Sequence, residues 1–266
     1  MKRQFVIVIA AIAIVVIVAT LFILGSKSNN AQSNFQKAYL KEADTANLYG
    51  DLLLAKKLYE QAREKTDNIA NLKEIQRKIE DINIKIIFSP IMDKCAKKYV
   101  VKPNDSLAKI AKENNTTIEL IKRTNNLNSD IIRPEQGLKV NACKFSIVVD
   151  KSQNLLFLKV GDEIIKTYLV STGKNNSTPV GVFKIVNKQP NPTWFKAGAV
   201  VPPDSPDNIL GTRWLGLEVK GYGIHGTTMP GDLGKQVTLG CVRMRNEEVE
   251  ELYDIVPVGI EVTIVD

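Results

Sequence analysis

The chain is poor in the side chains that carry most covalent chemistry, with three cysteines and one histidine among 266 residues. One imidazole means one candidate base of that kind, and an odd cysteine count excludes complete pairing within the chain. Charge is missing from Phe5 to Leu24, where Thr20 is the sole polar side chain in twenty residues. Between residues 27 and 90 the only turn-formers of the Gly and Pro type are Gly50 and Pro90, which leaves a polar, helix-prone stretch. At 44% hydrophobic and 24% charged, the sequence is too apolar for general disorder and too long for one small domain. Two or three folded units are expected.

As a helix at ~1.5 Å per residue, Phe5 to Leu24 matches a hydrocarbon core of roughly 30 Å. Lys2 and Arg3 precede it, so the positive-inside rule keeps the N-terminus cytoplasmic and sends the residues after Gly25 across the membrane. Residues 1–26 therefore read as a signal anchor, with the bulk of the chain extracytoplasmic, on the periplasmic or cell-wall side. A cleaved signal peptide is the competing reading, but the apolar run exceeds the roughly 7–15 residues of a usual h-region and lacks a small-x-small site. Either reading exports the domains, so the formal charge of +7 does not point to nucleic acid.

In residues 27–90, Ala46, Leu48, Tyr49, Leu52, Leu53, Ala55, Leu58, Tyr59 and Ala62 fall on a helical period. The run "ADTANLYGDLLLAKKLYEQA" resembles the helical hairpin of a tetratricopeptide repeat, in a single copy. Such a hairpin serves either as a stalk or as a docking surface for a protein partner.

After Pro90 the pattern becomes strand, helix, helix, strand. Tyr99 to Val101 is β-rich, Asp105 or Ser106 can cap a helix carrying Leu107, Ile110 and Ala111, Thr117 opens a second helix, and Ile131 to Val140 reads as the closing strand. The stretch "YVVKPNDSLAKIAKENNTTIELIKRTNNLNSDIIRPEQGLKV" resembles a LysM domain, which implies binding to glycans containing N-acetylglucosamine. Two positions depart from that family: Asn104 and Glu135 stand where glycine is usual. Cys95 and Cys143 bracket the segment, and because the termini of such a module lie close together, the resemblance implies a disulfide between them in an oxidising compartment. The module is assigned to 95–143.

Cys241 is then left over. It lies in "HGTTMPGDLGKQVTLGCVRMRNEEVEELY", sixteen positions after His225. A thiol and an imidazole flanking one Gly-rich polar loop form the pairing that thiol catalysis requires, because the attacking form of cysteine is the thiolate. Gly226 lets the backbone approach closely, and Gly240 allows a sharp turn through which the amides of Gly240 and Cys241 can face an oxyanion.

"GYGIHGT" followed by "TLGCVRM" is similar to the signature of the YkuD-type L,D-transpeptidases, and the likeness extends across residues 145–266. It implies Cys241 as nucleophile, His225 as base and the Gly226 carbonyl as the group that orients the ring. Arg243 would order the site or meet a substrate carboxylate, Thr238 takes the place of a more usual serine, and Tyr222, Trp194 and Trp214 are candidates for lining the pocket. The implied chemistry is acyl transfer on peptidoglycan tetrapeptide stems through a thioester, forming 3→3 crosslinks, with no metal and no cofactor. With water as acceptor the same site is an L,D-carboxypeptidase.

The expected architecture is multidomain: a transmembrane helix, an α-helical hairpin, an α+β LysM module of βααβ order and a mainly-β catalytic sandwich. In that last unit Ser146 to Val149, Leu155 to Val160 and Glu163 to Val170 read as a meander, Asn246 caps a peripheral helix, and Ile260 to Ile264 is the final strand. The expected partners are stem peptides and glycan strands, with the membrane reached through the anchor. A catalytically inert peptidoglycan-binding protein is a second reading, and a papain-like protease is disfavoured because its cysteine precedes its histidine.

Overall fold

The computed structural model describes residues 34–196 and 198–266. The predicted membrane helix lies outside the described residues, and among these no helix is long and apolar enough to cross a membrane. The described residues divide into two compact units, the first ending at Ile82 and the second spanning Asn83–Asp266.

In the first unit, α1 (34–48) and α2 (Leu52–Glu64) are followed by the start of α3 (Ile69–Ile87), so the expected hairpin is extended by a third helix. Asp51 caps α2 by accepting the Leu54 N–H at 3.1 Å. Ala43, Ala46, Ala55 and Ala62 are buried with Leu58, Tyr59 and Ile75, small residues permitting close helix approach. Leu48 and Tyr49 share the same sequence period yet are 81% and 82% exposed, because they fall at the turn where α1 ends.

The second unit begins with the end of α3. Its βααβ module comprises β1 (Ala96–Val100), α4 (Leu107–Glu113), α5 (Ile118–Thr124) and β2 (Gly137–Asn141), with β1 antiparallel to β2 and Tyr99 opposite Leu138. Ser106 caps α4 and Thr117 caps α5. Asp105 instead accepts from Tyr99 Oη at 2.8 Å, from the Lys102 N–H at 2.9 Å and from Lys109 Nζ at 2.9 Å. The closing strand is shorter than expected: residues 131–136 form a loop with a turn at Pro134 and Glu135, the latter at φ +68°. Asn104 also has φ +68°, so both residues that replace a usual glycine occupy left-handed backbone. Cys95 and Cys143 are disulfide-bonded across the ends of the module.

Two contacts join this module to helix α6 (Asn246–Ile255): Thr117 Oγ1 donates to the Asp254 carbonyl, and Arg123 pairs with the Asp254 carboxylate at 2.7 Å. Lys139 Nζ donates to the carbonyls of Ile86 and Ser89 at 2.9 Å each, satisfying carbonyls at and just past the C-terminal end of α3.

The rest is mainly β. An eight-stranded sheet runs β13-β11-β10-β7-β14-β3-β4-β5, comprising β3 (Phe145–Asp150), β4 (Leu155–Val160), β5 (Glu163–Leu169), β7 (Gly181–Pro190), β10 (Arg213–Leu217), β11 (Gly223–His225), β13 (Val242–Arg243) and β14 (Glu261–Val265). The meander β3-β4-β5 lies at one end, and burial alternates along β3 and β4 as one face packs on the core. β7 is shared, its first residues pairing with β14 and its later ones with β10, so one long strand links the halves of what was expected to be a sandwich. Two short pairs flank the sheet: β6 (Thr172–Gly173) with β12 (Gln236–Thr238), and β8 (Trp194–Lys196) with β9 (Ala199–Val201). Helix α6 is not peripheral, since Val249, Leu252, Tyr253 and Ile255 belong to the main core with Ile147, Leu158, Ile224 and Val262. Asn246 is the first residue of α6 rather than its cap, a position held by Arg245 without a side-chain capping bond.

Candidate active site

His225 ends β11, and its position is set by two pairings. Antiparallel to β10, it lies opposite Trp214, with the rings stacked at 5.9 Å between centroids. Parallel to β13, it lies opposite Arg243, and Ile224 lies opposite Val242. One step back in this register places Cys241 beside Gly223. The crossover 226–240 thus returns the chain to put the thiol-bearing turn next to the strand of the only histidine.

Cys241 is the free cysteine and is partly exposed, while His225 is only 3% exposed. The thiol donates to the Gly221 carbonyl at 3.5 Å and opens on a cleft of about 320 Å³ walled by Trp194, Phe195, Trp214 and Leu210, with Asn187 and Gln189 on its floor strand β7. Trp214 Nε1 donates to Asn187 Oδ1 at 3.1 Å, fixing both. Of the three aromatic candidates from the sequence, Trp194 and Trp214 line this cleft. Phe195, Asn187 and Gln189 had no sequence signal, because they reach the cleft only through strand pairing.

His225 Nδ1 lies 2.7 Å from the Gly226 carbonyl. A carbonyl only accepts, so Nδ1 carries the proton and Nε2 is the basic nitrogen. Burial pulls the imidazole down to about 4, against the pull of the Gly226 carbonyl, with Arg243 adding to the depression and the Leu210 carbonyl opposing it. Burial likewise raises the Cys241 thiol, opposed by the Gly223 backbone and by Arg243. At neutral pH the resting pair is thus a thiol and a neutral imidazole. A standing thiolate, which the sequence suggested, is disfavoured because desolvation works against both charges.

Thr238, Gly240 and Tyr222 stand differently from expectation. Thr238 is 3% exposed and does not line the cleft: its hydroxyl donates to the Cys241 carbonyl at 2.6 Å and accepts the Gly240 N–H at 3.1 Å. The Gly240 amide is consequently committed to Thr238, not free for an oxyanion, which leaves the Cys241 amide of the expected pair. Gly240 itself has φ +133°, and a Cβ there would meet the Tyr222 ring at 2.5 Å, so only glycine fits. Tyr222 is half-buried and supports this turn from the core side. Arg243 is buried, with its guanidinium 4.0 Å from the Asp232 carboxylate, and its Nε has no hydrogen-bond partner among the described residues.

Among the described residues, no cluster of three or more His, Cys, Asp or Glu could hold a metal ion.

Residues 144–264 match the family model of the L,D-transpeptidase catalytic domain, YkuD, and residues 99–141 match the LysM domain. The chain belongs to the YkuD-type L,D-transpeptidase family, a family of transferases, and carries a LysM domain. It is 36% identical over 174 residues to the L,D-transpeptidase-type protein YkuD of Bacillus licheniformis, covering 62% of this chain and 97% of that protein. It is 40% identical over 126 residues to YqjB of Bacillus subtilis, covering 45% of this chain and 70% of the relative. Among solved structures, an L,D-transpeptidase from Mycobacterium smegmatis overlaps 50% of this chain and 64% of its own at 20% identity, with a TM-score of 0.39.

Proposed function

We propose that the protein is an envelope L,D-transpeptidase acting on peptidoglycan tetrapeptide stems through a Cys241 thioester. The observation that carries this reading is that the sole free thiol among the described residues lies on the turn leading into β13, which pairs in parallel with the strand that ends in the chain's sole imidazole, and that this thiol opens on a cleft between two tryptophans.

Attack by Sγ on the carbonyl of the third stem residue transfers the thiol proton to His225 Nε2. The Cys241 N–H stabilises the oxyanion, for which Thr238 holds the turn. Collapse breaks the bond to terminal D-alanine, whose amine takes the proton from the imidazolium, and the thioester remains. An amine of a second stem then attacks, loses its proton to His225 and forms a 3→3 amide as the proton returns to sulfur. Water in place of that amine yields the carboxypeptidase product.

The LysM domain supplies glycan affinity, and the apolar run 5–24 supplies a membrane anchor with the folded units outside the cytoplasm. Incubation of the purified protein with defined tetrapeptide muropeptides, read by mass, tests the reading. Crosslinked dimers from the native protein and none from Cys241→Ala are expected. Dimers from both would remove Cys241 from the mechanism, and no reaction from either, with glycan binding retained, would leave a binding protein.

A further inference from the structure

The peptide unit that joins Gly226 to Thr227 has a partner at each end. Its carbonyl accepts from His225 Nδ1 at 2.7 Å, and its N–H donates to Asn246 Oδ1 at 3.0 Å. In a planar trans peptide the C=O and N–H point in opposite directions, so anchoring the N–H fixes where the carbonyl aims. The same Asn246 oxygen accepts the Thr212 N–H at 3.3 Å, tying the segment before β10 to the segment after β11.

Space has been cleared for this one atom. A Cβ on Gly226 or on Gly211 would lie 2.2 Å from Asn246 Oδ1, so neither position accepts a side chain while Asn246 is in place. The neighbouring groups are already engaged: the Gly226 N–H donates to the Arg213 carbonyl at 3.2 Å, and the Met244 N–H donates to the His225 carbonyl at 2.8 Å. Nor is Asn246 occupied with its own helix, since both amides that it accepts belong to other segments.

We infer that Asn246 is a positioning residue for the base: through the Gly226–Thr227 peptide it holds the His225 ring as the Nδ1–H tautomer and leaves Nε2 basic. The chain of donors and acceptors runs Asn246 Oδ1, Thr227 N–H, Gly226 C=O, Nδ1–H, and each bond polarises the next. This inference rests on the assignment of His225 as base in the proposed function.

The chain has a single histidine, so selective nitrogen-15 labelling gives one imidazole whose two nitrogen shifts report the tautomer without reference to activity. The native protein is expected to hold one tautomer, protonated at Nδ1. In Asn246→Ala the two shifts should converge as the tautomers mix, and kcat for acylation of Cys241 by a tetrapeptide stem should fall by about ten- to a hundredfold with KM nearly unchanged. Asn246→Asp, which keeps an acceptor oxygen at the same point, should restore the single tautomer and most of kcat. An unchanged tautomer in Asn246→Ala overturns the inference, including where activity falls, since that pattern marks a merely structural role. A mixed tautomer with full activity upholds the positioning of the ring and instead removes His225 from the mechanism.

Discussion

Opening the Cys95–Cys143 bridge should loosen the LysM module and leave the main sheet intact. The two residues are 48 apart in sequence, and cross-linking a loop of that length removes unfolded-state entropy worth ~4 kcal/mol in the chain-entropy model. The core beneath it is small, built on Val101, Leu107, Ile110, Ala111, Ile121, Leu138 and Val140, so the bridge is a large fraction of what holds β1 against β2. The perturbation is the double variant Cys95→Ala with Cys143→Ala, which leaves Cys241 untouched. At ~1.4 kcal/mol per decade, ~4 kcal/mol raises the opening equilibrium by roughly three powers of ten. Peptide-resolved hydrogen exchange should therefore find protection in residues 96–141 reduced by up to that factor. Protection in β3, β4 and β14, and the acylation rate of Cys241, should be unchanged. A loss under tenfold in β1 and β2 would refute the entropic reasoning, and a loss that spreads through the main sheet would refute the separability of the two parts.

The acid limb of Cys241 acylation should fall near pH 4 rather than near 6.5, because burial holds His225 neutral down to about 4; a kcat/KM profile checks this. The same depression disfavours the proton in the folded state, so stability is intact above ~6.5 and declines as pH drops toward 4, by of the order of 3 kcal/mol in denaturant titrations. Thr238→Val removes the hydroxyl that holds Gly240 N–H and Cys241 C=O, and should slow acylation by roughly tenfold or more while Thr238→Ser stays near native, as measured by stopped-flow labelling. Glu135→Gly should raise the stability of the LysM module by up to ~1 kcal/mol in thermal unfolding, since it relieves a left-handed glutamate, whereas Asn104→Gly should be close to neutral.

Features of the chain that depend on near neighbours were legible before the fold. Ser106 or Asp105 and Thr117 marked helix starts in the LysM module, and the structure places the caps at Ser106 and Thr117. The meander β3-β4-β5 was legible because its strands alternate and their turns are short. The parallel pairs β11-β13 and β6-β12 were not, because no local pattern records which distant strand will lie alongside. Thr238 and Asn246 illustrate the same limit from the other side. Each was given a role natural to its type, pocket lining and helix capping, yet each spends its side-chain oxygen on backbone amides that tertiary packing delivers.

What the sequence determined by itself was an inventory: one thiol outside the bracketing pair, one imidazole, glycines on either side of the loop between them, and a family signature around all of these. Tertiary structure decided their state. Whether a thiol is ionised, which imidazole nitrogen holds the proton, and which amide is free for an oxyanion depend on desolvation and on hydrogen-bond partners brought from remote segments. Those quantities are properties of distances in space, and a list of residues does not contain them until the chain has folded.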